Sequence, residues 1–298
     1  MVFKKLMRAF GVGGPGVDTV LHRADTQPGR TLTGTVEITG GDHDVVIQEV
    51  VLSLVTRAEV EMGDAEGGAV VEFARSVVSG EFGLAAGEER RIDFELPVPW
   101  ETPVTMFYGK PLRGMAVGVR TELAVAKAVD KGDLDPVNVH PLGCQEAVLE
   151  AFEGLGFQFR SADLEHGRIH GVAQQLPFYQ EIEYIAPSQY RGRVGEVELT
   201  FVADPREIEV VLEADGRSGG DAFGRFRMSH EEAESADWPS LVGGWVSELA
   251  DRIPHQSHHG GHHGGMGGVV AGAAAGVVGG MVLGEVFDEV GEELFGEE

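Results

Sequence analysis

Residues 33–39, TGTVEIT, and residues 45–61, VVIQEVVLSLVTRAEVE, decide the fold class of this chain. β-branched residues dominate both stretches, and their apolar side chains recur with the period of two that marks a half-buried β-strand. The glycines and the aspartate at 40–42 form a turn signal between the two stretches. The pattern therefore predicts β-strands rather than helices in this part of the chain.

The same period continues on both sides of these two stretches. Further strand-like stretches lie at 70–78, 90–98 and 116–128, and turn-forming clusters of glycine, proline and aspartate separate them. None of these stretches is followed by a helix long enough for a parallel crossover connection. Many short antiparallel strands of this kind favour a β-sandwich, which we expect to occupy residues 13–129.

Residues 130–141, DKGDLDPVNVHP, interrupt the strand pattern with charges, glycine and two prolines. This composition predicts a linker between two domains, and we expect Asp133, Asp135 and Pro136 to form its hinge. The alternating aspartates also suggest a calcium-binding loop as an alternative. That alternative has little support, because a third alternating ligand, the following glycine and the late glutamate of such loops are missing.

A second all-β unit is predicted after the linker, over residues 142–229. A short helix is expected at 145–155, and strand-like stretches follow it between residues 156 and 228. The chain is therefore expected to contain two β-sandwich domains in tandem.

A helical segment is predicted over residues 230–254. Ser229 and Glu232 have the spacing of a capping box, in which the two side chains satisfy free backbone N–H groups at a helix start. Large apolar residues then recur at intervals of three or four, namely Trp238, Leu241, Trp245 and Leu249. We expect this face to pack on a domain, and the alternative is that its tryptophans bind a partner.

Residues 1–12 are predicted to contain a basic amphipathic helix. Apolar side chains at positions 3, 6, 7 and 10 share one helical face. We expect this face to pack on its own domain, and the alternative is that Phe3, Lys4, Lys5 and Arg8 dock to a partner or, weakly, to a membrane surface. Residues 11–16 match the letters of a dinucleotide-binding loop, but they follow a helix and open a strand, so we interpret them as a connector.

Residues 255–298 form a tail that is rich in histidine and glycine and has an acidic end. Within it glycine recurs at every fourth position, with only apolar residues or glycine between, at Gly268, Gly272, Gly276, Gly280 and Gly284. In a helix these glycines would form a groove for close packing against another helix, which suggests self-association or a partner helix. The alternatives are a disordered tail and insertion into a membrane. No metal site is predicted from the histidines at 255–263, because the glycines between them impose no fixed geometry.

The chain carries 23 Lys and Arg against 49 Asp and Glu, a formal net charge of −26. Such acidity repels phosphate backbones, so no nucleic-acid partner is expected. The single cysteine, Cys144, has no nucleophile motif around it, and residues 230–234, HEEAE, carry Glu where the zinc motif H-E-x-x-H needs its second histidine. We therefore predict no catalytic residues and no cofactor, although a site assembled from separate strands would leave no such motif.

Several separate blocks of the chain resemble, in the same order, the bacterial sporulation-control proteins of the SpoOM family. The blocks are FKKL at 3–6, GVG at 11–13, VDT at 17–19, PG at 28–29, GTVEITGG at 34–41, AVDKGDLDP at 128–136, QEIEY at 180–184 and YRGR at 190–193. The resemblance extends to about residue 250 and implies an arrestin-like fold of two β-sandwich domains joined by a short hinge. It also implies a cytoplasmic regulator of sporulation or development that acts through protein contacts without catalysis.

Two classes of function follow from these observations. The leading hypothesis is an adaptor or scaffold that binds other proteins through strand edges, the groove between the domains and the hinge. The alternative is a membrane-associated or self-assembling structural protein that uses the glycine pattern at 268–284. Both hypotheses place the protein in the cytoplasm, and the second also allows a peripheral position at the inner face of the membrane.

Overall fold

The computed structural model describes residues 13–62, 65–126, 131–190, 193–216 and 222–252. A first unit consists of β1 (Gly16–Leu21), β2 (Asp25–Thr26), β3 (Thr31–Thr39), β4 (Val45–Met62), β5 (Ala65–Ser79), β6 (Phe82–Leu84), β7 (Glu89–Pro97), β8 (Met106–Phe107), β9 (Lys110–Pro111), β10 (Val117–Val125) and β11 (Lys131–Val139). A second unit consists of α1 (Gly143–Gly154), β12 (Gln158–His166), β13 (Phe178–Ile185), β14 (Val194–Ala203), β15 (Glu207–Gly216), β16 (Ala222–Ser229), α2 (His230–Ser235) and α3 (Trp238–Arg252). Strands dominate the described chain, which confirms the predicted all-β class.

The first unit is a β-sandwich, because its strands bury alternate side chains between two sheets. One sheet has the order β1-β3-β7, and the other contains β4, β10, β11 and β2, with β5 and β6 also paired to β4. β3 shows the alternation clearly. Leu32, Val36 and Ile38 are buried, whereas Thr33, Thr35 and Glu37 are only partly buried. β4 lies in the facing sheet and contributes Leu52 and Leu54 to the same core. The alternating stretches that decided the fold class thus form the two walls of this core.

Residues 131–139 form a strand, so the expected linker at 130–141 is corrected. β11 pairs antiparallel with β10 along most of its length and parallel with β2 at its end. Pro136 is tolerated because β2 pairs only with residues 138–139, which leaves the outer edge of β11 free at the proline. Asp133 ties the strand to the opposite sheet, since its carboxylate accepts the Thr19 N–H at 2.7 Å. Burial raises the pKa of Asp133 at this contact.

The prediction that Asp133, Asp135 and Pro136 form a hinge is corrected for the same reason. All three residues belong to a strand of the first unit, which extends to Val139 rather than ending at residue 129. Only residues 140–142 connect this strand to α1. Composition misled the prediction, because glycine, proline and aspartate disfavour strands on average, whereas pairing and burial decide β-structure in a particular context.

The second unit packs three helices on one antiparallel sheet, in which β12 to β16 pair in chain order. Trp238 lies at the start of α3, is only 1% exposed and donates from Nε1 to the Ala233 carbonyl at 2.6 Å. β16 passes so close to α3 that a Cβ at Gly224 would come within 2.5 Å of the Trp245 indole. In the described residues, α1, α2 and α3 therefore form the layer that shares a core with this sheet.

The helix signals at residues 229–249 are confirmed. Ser229 Oγ accepts the Glu232 N–H, and the Glu232 carboxylate accepts the Ser229 N–H, which is the predicted capping box at the start of α2. The expected tryptophan-bearing helix is α3, and its apolar face packs on the second unit as predicted. Within the described residues, no helix has the length and apolar character needed to cross a bilayer.

The two units share one continuous sheet. β12 of the second unit pairs in parallel with β4 of the first unit, where the backbones of Glu165 and Glu59 are opposite each other. The core of the second unit also includes Ala58, Leu112 and Met115 from the first unit. The units are therefore packed against each other by backbone pairing and by a common apolar cluster.

Candidate interaction groove

One side of the β-sandwich is open, between the outer strands of its two sheets. Among the described strands, β7 is the outer strand of one sheet, and β5 pairs only with β4 in the other. A groove of about 560 Å³ runs between them, and its walls are residues 29–31, 74–76 and 96–100. We call it the open-side groove. Its volume lies within the range of sites that hold ligands in other proteins.

The two strands that border the open-side groove differ as templates for a further strand. β7 pairs with β3 in an unbroken register over residues 89–97. β5 pairs with β4 through two register shifts, and bulges of this kind protect an edge against further pairing. The backbone N–H and C=O groups on the free edge of β7 therefore form the better template for an added strand.

The charged residues that line the open-side groove are two arginines, although the protein is acidic. Its walls contain Arg30 and Arg75 but no Asp or Glu, whereas the whole chain has a net charge of −26. The backbone of Arg30 is fixed by hydrogen bonds to Gln27 and Val98, and its side chain is exposed. Arg75 also lies 3.5 Å from a carboxylate oxygen of Glu49. The same guanidinium lies 3.9 Å from Glu72 and 3.5 Å from Glu122, so the charge of Arg75 is balanced by carboxylates of its own sheet.

Trp100 forms one end of the open-side groove and connects it to the second unit. Its indole ring lies against Gly29, where φ is +75° and an added Cβ would come within 2.5 Å of the ring. Only glycine satisfies both the close approach and the left-handed backbone at this position. The indole also stacks on the His230 imidazole, with ring centroids 5.2 Å apart. A ligand that reaches Trp100 would therefore touch a residue held by both units.

His230 belongs to a polar pair that sequence motifs did not reveal, because its partner lies 86 residues away. His230 Nε2 is 2.8 Å from the Asp204 carbonyl oxygen, which can only accept, so Nε2 carries a proton. In the neutral ring Nδ1 then accepts from the Cys144 thiol, whose Sγ is 3.3 Å away. Burial raises the pKa of the Cys144 thiol to about 11. A buried, protonated thiol is a poor nucleophile, so the pair orients the imidazole on which Trp100 stacks.

Glu101, directly after Trp100, joins the two units beside the groove. Its two carboxylate oxygens accept the backbone N–H groups of Gln175 and Leu176, each at 2.8 Å. Burial raises the pKa of the Glu101 carboxyl, while these two hydrogen bonds favour its ionised form. The Gln180 side chain adds a matching pair of hydrogen bonds to the backbone N–H and C=O of Val104, at 3.0 and 2.9 Å. Glu101 and Gln180 therefore join the two units through directional hydrogen bonds to backbone groups.

The β8–β9 hairpin makes a further contact between the units. Tyr108 has φ of +48° and Gly109 has φ of +71°, as required in a tight two-residue hairpin turn. Such a backbone is rare for a residue with a large side chain. The Tyr108 ring lies 4.4 Å from the Phe107 ring, and its hydroxyl bonds to Glu153 of α1. Burial and this bond raise the pKa of Tyr108. The turn thus presents Tyr108 to α1 of the second unit.

An acidic cluster lies on the second sheet, away from the groove. Carboxylate oxygens of Asp163, Glu165 and Glu181 come within 4.8 Å of one another. Burial raises the pKa of Glu181 to about 9, and repulsion from Glu198 and the neighbouring carboxylates contributes. Carboxylates are the ligand type that Ca²⁺ prefers, although that ion takes about six to eight oxygen atoms. Neither this cluster nor the Cys144–His230 pair lines the open-side groove.

The residues predicted from the sequence for docking and self-association lie outside the described chain. They are Phe3, Lys4, Lys5, Arg8, Gly268, Gly272, Gly276, Gly280 and Gly284. Their roles stay predictions. The three residues predicted as a hinge are in β11 and do not line the groove. The groove itself escaped sequence reasoning, because its walls come from three separate segments. The only local signal was the pair of prolines at 97 and 99, which indicates no more than the end of a strand.

Fold and groove together define a β-rich protein of two packed units, with an open groove beside their junction. The sequence profile of the SpoOM protein family matches residues 3–218, and the chain belongs to this family. The resemblance expected from the sequence blocks is thereby confirmed.

One relative is the sporulation-control protein spo0M of Bacillus subtilis (strain 168). It is 35% identical over 219 residues, which cover 73% of this chain and 82% of the relative. The crystal structure of Spo0M from Bacillus subtilis matches with a TM-score of 0.71 at 29% sequence identity, covering 80% of this chain and 100% of that chain. The two-unit, β-rich architecture is therefore shared with a solved member of the family.

Proposed function

We propose that the protein is a non-catalytic regulator of sporulation or developmental control, which acts as an adaptor by binding a partner protein in the open-side groove. Family membership supports the regulatory part, since the Bacillus subtilis relative is named for sporulation control. The observation that carries the binding part is the groove of about 560 Å³ beside a regular free strand edge. Free strand edges are a common means of capturing an extended segment of another protein.

The groove also offers a route by which a partner could influence the second unit. Trp100 at its end stacks on His230, and Glu101 is bonded to the backbone just before β13. A partner that moves Trp100 therefore acts on contacts of both units at once. In this proposal the regulated element is the junction between the units, not β11. We place the protein in the cytoplasm, in agreement with its single free thiol at Cys144.

Crosslinking tests whether a partner occupies the groove. Thr31 and Thr39 are the two exposed ends of β3, and only Thr31 lines the groove. A photo-reactive amino acid at position 31 of the full chain, expressed in the native host, is expected to capture a partner protein that the same group at position 39 does not. Identical crosslinked proteins from both positions would contradict the proposal.

A matched pair of variants links the groove to the biological effect. Thr31→Trp places a bulky ring in the groove, and Thr39→Trp places the same ring at the other end of the strand. Because both positions are exposed, both proteins are expected to fold, which circular dichroism checks. In a host strain that lacks the gene, Thr31→Trp should fail to restore the sporulation frequency, and Thr39→Trp should restore it. Equal sporulation frequencies with the two variants would contradict the proposal.

A further inference from the structure

We infer that a patch of aromatic and acidic side chains at the junction of the two units binds an arginine-bearing segment of a partner protein. The patch consists of the rings of Phe107, Tyr108, Phe159 and Tyr184 together with three outward-facing glutamates of α1, and we call it the junction patch. None of these residues lines the open-side groove. The junction patch is therefore a second binding surface, beyond the one in the proposed function.

The aromatic rings of the junction patch come from both units. Phe107 and Tyr108 belong to the β8–β9 hairpin, whereas Phe159 lies in β12 and Tyr184 in β13. The centroid of the Phe159 ring is 6.1 Å from that of Phe107 and 6.3 Å from that of Tyr184. Tyr108 is 51% exposed and Phe159 is 37% exposed. Exposed aromatic rings attract cations, and arginine is the cationic side chain that stacks on them most often.

The glutamates of α1 give the junction patch its negative charge. Glu146, Glu150 and Glu153 are spaced by four and three residues, so they share one face of the helix, and all three are exposed. Burial and the charges of these glutamates raise the pKa of Tyr108, which places this face beside the rings. In the part of the chain that the structure describes, none of the three forms an ion pair. The hairpin contributes one cation, Lys110, so the patch stays negative.

Tyr184 is an independent indication of a polar ligand. Its side chain is 2% exposed, and its hydroxyl has no hydrogen-bond partner within the described chain. Burial, the Tyr108 hydroxyl and the Glu153 carboxylate raise the pKa of Tyr184, so its hydroxyl lies beside both groups. A buried hydroxyl without a partner is unfavourable. A donor that enters the junction patch from outside would satisfy it.

Arginine suits all of these features. Its guanidinium is flat and stacks on a ring, and its several N–H donors can bond both to the Glu153 carboxylate and to the Tyr184 hydroxyl. The ammonium of lysine is more strongly hydrated and does not stack in this way. Tyr108 and Phe159 are both partly exposed, so a small separation of their rings lets the guanidinium reach the buried hydroxyl. A bound arginine then contacts both units at once.

Peptide binding tests the preference for arginine with defined probes. The probes are a dye-labelled Gly-Ser peptide that carries three arginines and its counterpart with three citrullines, which keep the shape of the side chain but have no charge. Both are titrated against the full chain at physiological salt. Fluorescence anisotropy is expected to show an affinity for the arginine peptide at least about tenfold higher than for the citrulline peptide. Equal affinities, or no binding of the arginine peptide, would overturn the inference.

A pair of phenylalanine variants separates the junction patch from the general attraction of an acidic protein for a basic peptide. Phe159→Leu removes a ring of the patch, and Phe223→Leu removes a ring that is 53% exposed on β16. Circular dichroism checks that both variants fold. Phe159→Leu should weaken the arginine peptide about tenfold, and Phe223→Leu should leave its affinity unchanged. Equal losses would contradict binding at the junction patch.

A pair of glutamate variants tests the acidic face of α1. Glu150→Gln removes one exposed carboxylate of the junction patch, and Glu95→Gln removes an exposed carboxylate of β7. Glu150→Gln should weaken the arginine peptide about threefold, whereas Glu95→Gln should have no effect. Equal affinities of the two variants would show that α1 does not contact the peptide.

Tyr184→Phe tests the buried hydroxyl. The substitution removes an unpaired polar group from the free protein, so the melting temperature should stay the same or rise. The same variant should bind the arginine peptide about fivefold more weakly, because the guanidinium loses an acceptor. This combination distinguishes a binding role from a structural one. An unchanged affinity, or a loss of affinity together with a lower melting temperature, would contradict the inference.

The two binding surfaces can be tested separately. Thr31→Trp fills the open-side groove and should leave the affinity for the arginine peptide unchanged. Loss of peptide binding in Thr31→Trp would mean that the peptide occupies the groove and that the inference is wrong. If the arginine peptide binds at the junction patch and the photo-reactive group at Thr31 captures no partner, the inference holds and the proposed function fails.

Discussion

The two units of this protein cover their sheets in different ways. In the second unit, three helices bury one face of β12 to β16 around Trp238. In the first unit, two sheets cover each other, and their outer strands β5 and β7 border an open groove. Helices satisfy their own backbone hydrogen bonds, whereas an outer strand leaves N–H and C=O groups unpaired. The helix-covered layer therefore favours stability, and the open side of the sandwich keeps backbone groups available for recognition.

The strongest test of this comparison removes the centre of the helix-covered core. Trp238 is 1% exposed, so Trp238→Ala loses both its packing and the hydrogen bond from Nε1. We expect the free energy of unfolding to fall by about 3–5 kcal/mol. Urea denaturation followed by circular dichroism measures it. Val77→Ala, at a side chain of β5 that is 56% exposed, is the control and should change stability by less than about 0.5 kcal/mol.

The junction between the units provides the next largest effect. Glu101→Ala leaves the N–H groups of Gln175 and Leu176 without their carboxylate acceptor. We expect a loss of about 1–3 kcal/mol and a separation of the unfolding of the two units into distinct transitions in calorimetry. Glu95→Ala removes an exposed glutamate of β7 in the same unit and should preserve a single transition. A single transition in Glu101→Ala as well would show that other contacts couple the units.

Glu181 makes the stability of the second sheet dependent on pH. Its pKa rises from 4.5 to about 9 on folding, mainly because of burial. The folded state thus retains a proton that the unfolded chain releases, so stability is complete below pH 4.5 and is lost as the pH rises toward about 9. Glu181→Gln removes this loss. The variant should be more stable than the parent at about pH 8 by on the order of 1 kcal/mol, since solvent screens a partly buried group.

Thermal unfolding of parent and Glu181→Gln at about pH 4 and about pH 8 provides the measurement for this prediction. The two proteins should have similar melting temperatures at the lower pH, where the carboxyl is protonated in both states. A parent that is as stable as the variant at the higher pH would show that the glutamate is not forced to keep its proton.

The smallest effect is expected in the groove. Arg30 is exposed, and only its backbone takes part in the turn that leads to β3. Arg30→Gln should therefore change the free energy of unfolding by less than about 0.5 kcal/mol. Chemical denaturation measures this change. A loss of stability comparable to that of Glu101→Ala would mean that Arg30 stabilises the fold. It would contradict the distinction between a stabilising core in the second unit and a binding side in the first.

The elements that the sequence predicted well are those whose signal is local. Alternation at 33–39 and 45–61 marks β3 and β4, because the period of two follows directly from strand geometry. The capping box of Ser229 and Glu232 is contained within four residues. The candidate site has no such local signal. Arg30, Arg75 and Trp100 come from three segments that only folding brings together.

The sequence by itself determined the all-β class, the positions of most strands along the chain and the helices around Trp238, since periodicity and capping depend on neighbouring residues. Only the tertiary structure decided the place of β11. Its glycine, proline and aspartates disfavour a strand locally, but pairing with β10 and the bond from Thr19 to Asp133 outweigh that preference. The same holds for the Cys144–His230 pair and for the open side between β5 and β7. Contacts between distant residues are properties of packing, and no local pattern in the chain records them.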